Sequence, residues 1–314
     1  MSAALHIQTP LLTHSGLSHR LGKTVLLKME SSQPSGSFKM RGLGRMCQQA
    51  AARGATHFVC PSGGNAGYAA AMSGVALDVP TTILVPETTP REVRDAIIAL
   101  GAELIVIGAV WDETNQAALA MCRGEEAVYI PPFDHPDIWD GNATLIDEAT
   151  QQAASQFPGD EPFDVVVCSV GGGGLLAGVV AGLQRNGLSA VPVVAVETEG
   201  AASFHAAVAA QQVVTIPAIT SIATTLGSKR VAQRAFDATR EHIIHSVTVT
   251  DQQAIDACLQ FANDLRTLVE PACGAALAVA YQNLPILKAY RRPLIVVCGG
   301  IGVDLNKIAA WREL

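Results

Sequence analysis

Short runs of apolar, mostly β-branched residues recur along the chain, and alanine-rich stretches follow them. Six runs stand out, at 58–60, 82–85, 104–107, 165–167, 193–196 and 294–297. Uncharged runs of this length are typical of strands buried on both faces, and the stretches between them suit helices. Strand and helix in turn predict parallel sheets covered by helices on both faces. We therefore predict an α/β fold of open, mostly parallel sheets.

The composition narrows the functions available to such a fold. Apolar residues make up 49% of the 314 residues and charged residues 16%, so the chain can bury a large core. The formal net charge is −7 and no basic run occurs, which argues against binding to nucleic acid or to anionic membranes. The seven cysteines include no C-x-x-C pair, and the N-terminus lacks a signal-peptide pattern. We therefore expect reduced thiols and a cytoplasmic location.

Two loops that precede predicted helices carry groups suited to chemistry. In residues 35–42, the lone Lys39 lies beside Phe38 at a helix start, where the helix dipole favours a neutral, nucleophilic amine. An ordinary surface lysine is the alternative. In residues 61–67, small residues at a helix start leave N–H groups free to bind a carboxylate. A simple turn between strand and helix is the alternative there.

The third loop consists of four consecutive glycines, at 171–174, between a predicted strand and a helix. It divides the uncharged stretch 165–183, so a strand, a turn and a helix explain that stretch better than a membrane span does. Glycines let the backbone approach a phosphate, and close helix packing would require only one or two of them. An activated lysine, a carboxylate site and a site for one phosphate together predict pyridoxal 5′-phosphate as the cofactor.

The same motifs resemble those of the L-serine/L-threonine dehydratases, and of the serine dehydratase group in particular. These enzymes have fold type II of the pyridoxal-phosphate enzymes, the tryptophan synthase β-like fold. The resemblance covers nearly the whole chain and is carried by SFKMRG at 37–42, GNAG at 64–67, PPFD at 131–134, IWDG at 138–141, GGGG at 171–174, VET at 196–198, TSIA at 220–223, EPACGAA at 270–276 and VCGG at 297–300. It implies a large cofactor-binding domain of residues 1–33 and 140–314 and a small domain of residues 34–139, with the cofactor between them.

The resemblance also implies roles for single residues. The candidate catalytic residues are Lys39 and Ser62, of which Lys39 would bind the cofactor aldehyde and then remove the Cα proton. The residues implied to bind the cofactor are Phe38, Lys39, Asn65, Gly171, Gly172, Gly173, Gly174, Ala223 and Cys298. Those implied to bind the substrate are Ser62, Gly64, Asn65 and Ala66. The residues implied to bind a monovalent cation, potassium in relatives, are Glu197, Gly171 and Ala201.

For four of these residues, the resemblance also implies which part of the cofactor they contact. Phe38 and Ala223 would lie on the two faces of the pyridine ring, and the Asn65 amide would reach its 3′-oxygen. Cys298 would face the pyridine nitrogen. A thiol is uncharged at neutral pH and donates weakly, so the nitrogen would stay unprotonated. A buried core thiol is the alternative for Cys298.

The activity implied is β-elimination from small amino acids. L-serine would give pyruvate and ammonia, and L-threonine would give 2-oxobutanoate and ammonia. Family members are commonly homodimers. The chain ends at Leu314 without room for a C-terminal regulatory domain, which favours a catabolic enzyme that needs no effector.

Two departures from the family leave the substrate open. This chain has IGVD at 301–304, where mammalian relatives carry a Ser-Asn pair, and Gly63 replaces an alanine of the most active mammalian type. The alternatives are a racemase, a β-replacement synthase, a dehydratase of a bulkier β-hydroxy amino acid, a non-catalytic cofactor-binding homologue and a nicotinamide oxidoreductase. Glu270 is interpreted as ordering a loop, and His242 with His245 as an incidental pair.

Gly63 also bears on the type of reaction. Racemisation needs an acid/base group on each face of Cα, and Lys39 serves one face. In serine racemases of this fold, a serine at the position of Gly63 serves the other. We therefore expect elimination without D-serine, and Gly63→Ser as the single change that adds D-serine formation.

Overall fold

The chain forms two sheets flanked by helices in the computed structural model, which describes residues 3–124 and 127–313. The strands are β1 (Leu11–Thr13), β2 (Leu26–Lys28), β3 (His57–Cys60), β4 (Thr81–Val85), β5 (Glu103–Val106), β6 (Ala127–Tyr129), β7 (Val165–Ser169), β8 (Val193–Thr198), β9 (Ile244–Val249) and β10 (Pro293–Val296). The α-helices are α1 (Ser15–Leu21), α2 (Lys39–Ala52), α3 (Asn65–Leu77), α4 (Arg91–Ala99), α5 (Trp111–Met121), α6 (Pro136–Gln156), α7 (Gly174–Arg185), α8 (Ser203–Ala210), α9 (Gln233–Glu241), α10 (Asp251–Leu265), α11 (Pro271–Tyr281) and α12 (Leu305–Trp311). The predicted α/β class is confirmed.

The larger sheet has six strands in the order β1-β2-β10-β7-β8-β9. Every neighbouring pair in it is parallel except β1 with β2. Strands β7, β8 and β10 are buried throughout, and they match three of the predicted runs. Strands β1, β2 and β9 were not predicted, because β1 and β2 have three residues each and β9 is half-buried at the sheet edge.

The smaller sheet has four parallel strands in the order β5-β4-β3-β6. Three of them match predicted runs, and β6 is an additional short edge strand. Each sheet is surrounded by its own hydrophobic clusters. The smaller sheet lies within the predicted small domain, and β1 and β2 belong to the larger sheet, although the exact domain boundaries stay a prediction.

Local sequence signals explain the start of α4 and both ends of α10. Helix α4 begins directly after Pro90. At the start of α10, the Thr250 hydroxyl accepts the Gln253 N–H and the Gln253 side chain accepts the Thr250 N–H, which is a capping box. Helix α10 ends at Leu265 because Arg266 takes a left-handed conformation with φ of 58°.

The uncharged stretch 165–183 is divided between β7 and α7, as predicted. Within residues 3–124 and 127–313, no helix has both the length and the apolar character that a membrane crossing requires. All seven cysteines are free thiols, and six of them are buried.

A buried cluster of charges fixes the position of α2. The Arg41 guanidinium donates to Glu30 at 2.6 and 2.8 Å and to Glu148 at 2.8 and 2.7 Å. Lys28, also buried, donates to Glu148 at 2.7 Å and to the Thr9 carbonyl at 2.8 Å. The two cations balance the two carboxylates, which joins α2 to α6 and to the segment after β2.

Arg41→Met tests this cluster, because the substitution leaves the Glu30 and Glu148 carboxylates short of a cation. Removing one partner of a buried ion pair typically costs about 3–5 kcal/mol, and we expect the free energy of unfolding to fall by that amount in urea titrations. Arg91→Met is the matched control, since the Arg91 side chain is 89% exposed and pairs with Asp95 on the surface. The control should stay within about 0.5 kcal/mol of the wild type. Equal losses in the two variants would contradict a stabilising role for the cluster.

Candidate active site

The segment before Lys39 pairs with the segment that follows β10. The Phe38 N–H donates to the Cys298 carbonyl at 3.0 Å, and the Gly300 N–H donates to the Gly36 carbonyl at 2.9 Å. This junction brings Lys39, at the start of α2, beside the carboxyl end of the larger sheet. Ligands of open α/β sheets bind at such carboxyl ends.

The Lys39 amine lies where a nucleophile or a base can operate. Its Nζ donates to the Pro132 carbonyl at 2.5 Å and lies 5.2 Å from the centre of the Phe38 ring. Burial of the amine lowers the pKa of Lys39 to about 8. The side chain nevertheless keeps partial exposure. The amine is therefore half neutral near pH 8, well below the ordinary pKa of a lysine.

The four glycines form the turn between β7 and α7. An added Cβ would lie 2.3 Å from the Phe133 ring at Gly172 and 2.5 Å from the Phe133 carbonyl at Gly174. Gly173 has φ of 93°, which side chains disfavour. The first N–H groups of α7 have no acceptor within the helix, so they are available to an anion. The backbone thus presents donors in a place that no larger residue could occupy.

The loop 61–67 connects β3 to α3, which begins at Asn65. Asn65 and Ala66 are buried, and the Gly64 N–H donates to the Ser62 hydroxyl at 3.4 Å. At Gly67 an added Cβ would lie 1.8 Å from the Ser62 carbonyl, which requires glycine. The predicted substrate-binding residues therefore form one tight turn at the start of a helix.

Ala223 lies in a loop held by the start of α10. Its N–H donates to the Ser221 hydroxyl at 3.0 Å, and that hydroxyl donates to the Asp251 carboxylate at 2.5 Å. The following residues contact the glycine loop, since a Cβ on Gly171 would lie 3.1 Å from the Leu226 Cα. Ala223 is therefore buried close to the glycine loop.

Cys298 is buried at the end of β10 and forms a hydrogen bond with Cys273. This hydrogen bond and burial raise the pKa of Cys298 well above the ordinary value. The thiol therefore stays neutral at physiological pH.

Glu197 is fully buried at the end of β8, which pairs with β7, the strand that leads into the glycine loop. Its two oxygens accept the N–H groups of Phe204 at 2.8 Å and His205 at 2.7 Å, at the start of α8. Nearby, Ala201 is buried, and the buried Ser203 hydroxyl has no hydrogen-bond partner in the described chain. No three His, Cys, Asp or Glu side chains group into a metal site within residues 3–124 and 127–313.

Two residues at the site were not predicted as site residues. Phe133 was noted only as part of a motif, yet its ring covers the glycine loop. Glu270 was interpreted as ordering a loop, yet its carboxylate accepts the Asn65 side-chain N–H at 2.7 Å. The available signal was a glutamate at the start of α11, a helix in which every residue is buried.

The site suits a ligand with one aldehyde and one phosphate. The donors at the glycine loop fit a phosphate, and the lowered pKa of Lys39 fits a bond to an aldehyde. The buried Ser37 hydroxyl, two residues before Lys39, has no partner of its own in the described part of the chain. Fold and site together define a pyridoxal-phosphate enzyme of fold type II.

Comparisons with known proteins identify the family. The family model described as "Pyridoxal-phosphate dependent enzyme" matches residues 3–299, and the chain belongs to this family. The human "L-serine dehydratase/L-threonine deaminase" is 45% identical over 98% of this chain and 95% of its own length. The human "Serine dehydratase-like" protein is 44% identical over 98% and 94%. Among solved structures, an L-serine ammonia-lyase from the fungus Rhizomucor miehei matches with a TM-score of 0.92 and 37% identity, over 99% of each chain.

Gly172→Ala tests the glycine loop. The added methyl group would have to displace Phe133, which lies 2.3 Å from it, so the loop should open and bind phosphate poorly. We expect pyridoxal phosphate to bind the apoprotein about tenfold or more weakly, as measured by absorbance titration. Gly124→Ala is the matched control, because an added Cβ there meets nothing within 4 Å among the described residues. Unchanged cofactor affinity in Gly172→Ala would remove this loop from the cofactor site.

Proposed function

We propose that this protein is a pyridoxal-phosphate-dependent ammonia-lyase that dehydrates L-serine and L-threonine. The products are pyruvate and ammonia from L-serine, and 2-oxobutanoate and ammonia from L-threonine. The observation that carries the proposal is the position of Lys39, whose amine has a lowered pKa and lies between the segment 298–300 and the loop at Pro132. The identity of 45% with a dehydratase over nearly the full length supports the substrate class.

The cofactor supplies one part of the chemistry, because bound pyridoxal phosphate withdraws electrons from the amino-acid Cα and so eases loss of the Cα proton. Lys39 supplies the base. With its pKa lowered to about 8, a useful fraction of the amine is neutral at physiological pH and can accept that proton. The residues proposed to hold the cofactor are Phe38, Lys39, Asn65, Ala223, Cys298 and the four glycines at 171–174.

The loop around Asn65 is proposed to orient the substrate. Ser62, Gly64 and Ala66 offer a hydroxyl and backbone N–H groups at the start of α3, where a carboxylate is favoured by the helix dipole. A carboxylate fixed there leaves the Cα hydrogen and the β-hydroxyl free to face other groups. Orientation of this kind contributes to rate by holding the reacting atoms in place.

Cys298 is proposed to favour elimination over other reactions of the same cofactor. Its neutral thiol donates weakly, so it does not stabilise negative charge on the cofactor ring as a charged donor would. Charge left on Cα then favours prompt departure of the β-hydroxyl over transamination.

Lys39→Ala tests the proposal. Wild-type protein should release keto acid from L-serine and L-threonine with no added nucleophile, which separates dehydration from β-replacement. The substitution should lower turnover on the order of 10⁴-fold, because it removes the base and the site of cofactor attachment. Lys229→Ala, a change at an exposed lysine, is the control. Keto-acid release that persists in Lys39→Ala would contradict the mechanism.

A second prediction concerns D-serine formation, which we expect to depend on the residues at positions 63 and 89. A Cβ on Gly63 would lie 2.8 and 2.9 Å from the Thr89 side chain and 3.1 Å from Val85. Gly63→Ser alone, the change expected from the sequence, therefore needs Thr89 to shift. We expect no appreciable D-serine from the wild type, and D-serine in the double variant Gly63→Ser with Thr89→Ala. Chiral analysis of the remaining serine measures this, and substantial D-serine from the wild type would contradict it.

We also propose a monovalent-cation site at Glu197, with the carbonyls of Gly171 and Ala201. Two observations support it: no basic side chain pairs with Glu197 within the described residues, and the Ser203 hydroxyl nearby lacks a partner. Potassium or ammonium should then activate more than sodium or lithium, and Glu197→Ala should abolish the difference in rate. Equal rates of the wild type in the four chlorides would count against the site.

A cytoplasmic homodimer completes the proposal. The seven free cysteines suit a reducing compartment. Size-exclusion chromatography with light scattering measures the mass in solution, and a monomer would refute the dimer.

A further inference from the structure

Glu270 receives three hydrogen bonds at the centre of the site. Its Oε1 accepts the Asn65 Nδ2–H at 2.7 Å and the Thr225 hydroxyl at 2.6 Å. Its Oε2 accepts the Gly302 N–H at 3.0 Å. The residue is 3% exposed, so these protein donors take the place of water.

These donors come from three separate parts of the chain. Asn65 begins α3 beside the smaller sheet, Thr225 follows the Ala223 loop, and Gly302 follows the segment that pairs with the Lys39 loop. The space is closely fitted, because a Cβ on Gly300 would lie 2.0 Å from the Glu270 carboxyl carbon. One carboxylate therefore links three loops of the site through hydrogen bonds.

The Asn65 amide is fixed at both of its polar atoms. Nδ2 donates to Glu270, and Oδ1 accepts the Ile301 N–H at 2.8 Å. A side-chain amide can be turned over to exchange its oxygen and nitrogen, but here the reversed amide would place its N–H₂ against the Ile301 N–H and its oxygen against a carboxylate. One of the two Nδ2 hydrogens is used, so the other has a single fixed direction.

Glu270 lacks the balancing cation that the Arg41 cluster has. No basic side chain forms an ion pair with it within residues 3–124 and 127–313, and its partners are two neutral side chains and one backbone N–H. Burial raises the pKa of Glu270, and the three donors, with a smaller effect from the charge of Lys307, oppose that rise. A buried carboxylate kept here without an ion-pair partner points to a role in the site.

We propose that Glu270 is a positioning residue that orients the Asn65 amide toward the cofactor. The inference rests on the proposed function only in taking Asn65 as a cofactor contact. Glu270 acts through Asn65, so removing Glu270 should weaken cofactor binding only while the Asn65 side chain is present.

A double-mutant cycle on the apoprotein tests this directly. The Kd for pyridoxal phosphate is measured by absorbance titration in the wild type, Asn65→Ala, Glu270→Ala and the double variant. We expect each single substitution to raise Kd by about tenfold, and the double variant to stay within about twofold of Asn65→Ala. Independent, multiplicative losses would overturn the proposal. An unchanged Kd in Glu270→Ala would overturn it as well.

Two further variants separate orientation from folding. Thr225→Val removes a donor from the same Oε1 but keeps the contact with Asn65, so its Kd should stay within about threefold of the wild type. Glu270→Gln can still accept from Asn65 but places an N–H₂ group against the Gly302 N–H, and it should fall between wild type and Glu270→Ala. If Glu270→Ala fails to fold, as judged by the Tm of the apoprotein, the cycle is run with Glu270→Gln. A Thr225→Val loss as large as that of Glu270→Ala would also overturn the proposal.

The same experiments keep this inference distinct from the proposed function. Coupled Kd values in a protein that releases no keto acid would refute the dehydratase and leave the role of Glu270 standing. Keto-acid release with uncoupled Kd values would do the reverse.

Discussion

The backbone pairing between residues 36–38 and residues 298–300 holds the site together. Two segments distant in sequence lie side by side there, joined by the bond from the Phe38 N–H to the Cys298 carbonyl. The contact is so close that a Cβ on Gly299 would lie 2.2 Å from the Gly36 carbonyl, and Gly299 has φ of 80°. Only glycine satisfies both requirements. Lys39, Cys298 and the loop that meets Glu270 all take their positions from this junction.

Two sets of buried charged groups lie in this part of the structure, and they differ in whether each charge has an oppositely charged partner. Arg41 and Lys28 are matched by Glu30 and Glu148, so that cluster is balanced and fixes the start of α2. Glu270, in contrast, is met only by neutral donors among the described residues. Balanced pairs stabilise the structure, whereas the Glu270 carboxylate fixes the Asn65 amide. Burial lowers the pKa of Lys39, and the negative charge on Glu270 is one of the smaller effects that oppose this lowering.

Small residues shape the site, and the side chains packed against them leave no room for larger residues. Phe133 lies against the glycine loop, so the loop cannot accept a methyl group without moving the ring. Thr89 fills the space beside Gly63 in the same way, so a side chain at position 63 requires Thr89 to shift. Close packing thus couples the identity of a loop residue to a side chain elsewhere in the chain.

Local chemistry in the sequence determined the α/β class, six strands, the start of α2 at Lys39 and the glycine loop, because each depends on residues that are neighbours in the chain. The pattern of loops also led to the cofactor. Tertiary structure alone decided what these loops touch. Asn65 and Glu270 are 205 positions apart, and neither carries a local signal of the other. The edge strands β6 and β9, the charge cluster at Arg41 and the ring of Phe133 over the glycines were likewise fixed by packing between distant segments, since burial and hydrogen bonding at such contacts depend on the assembled fold.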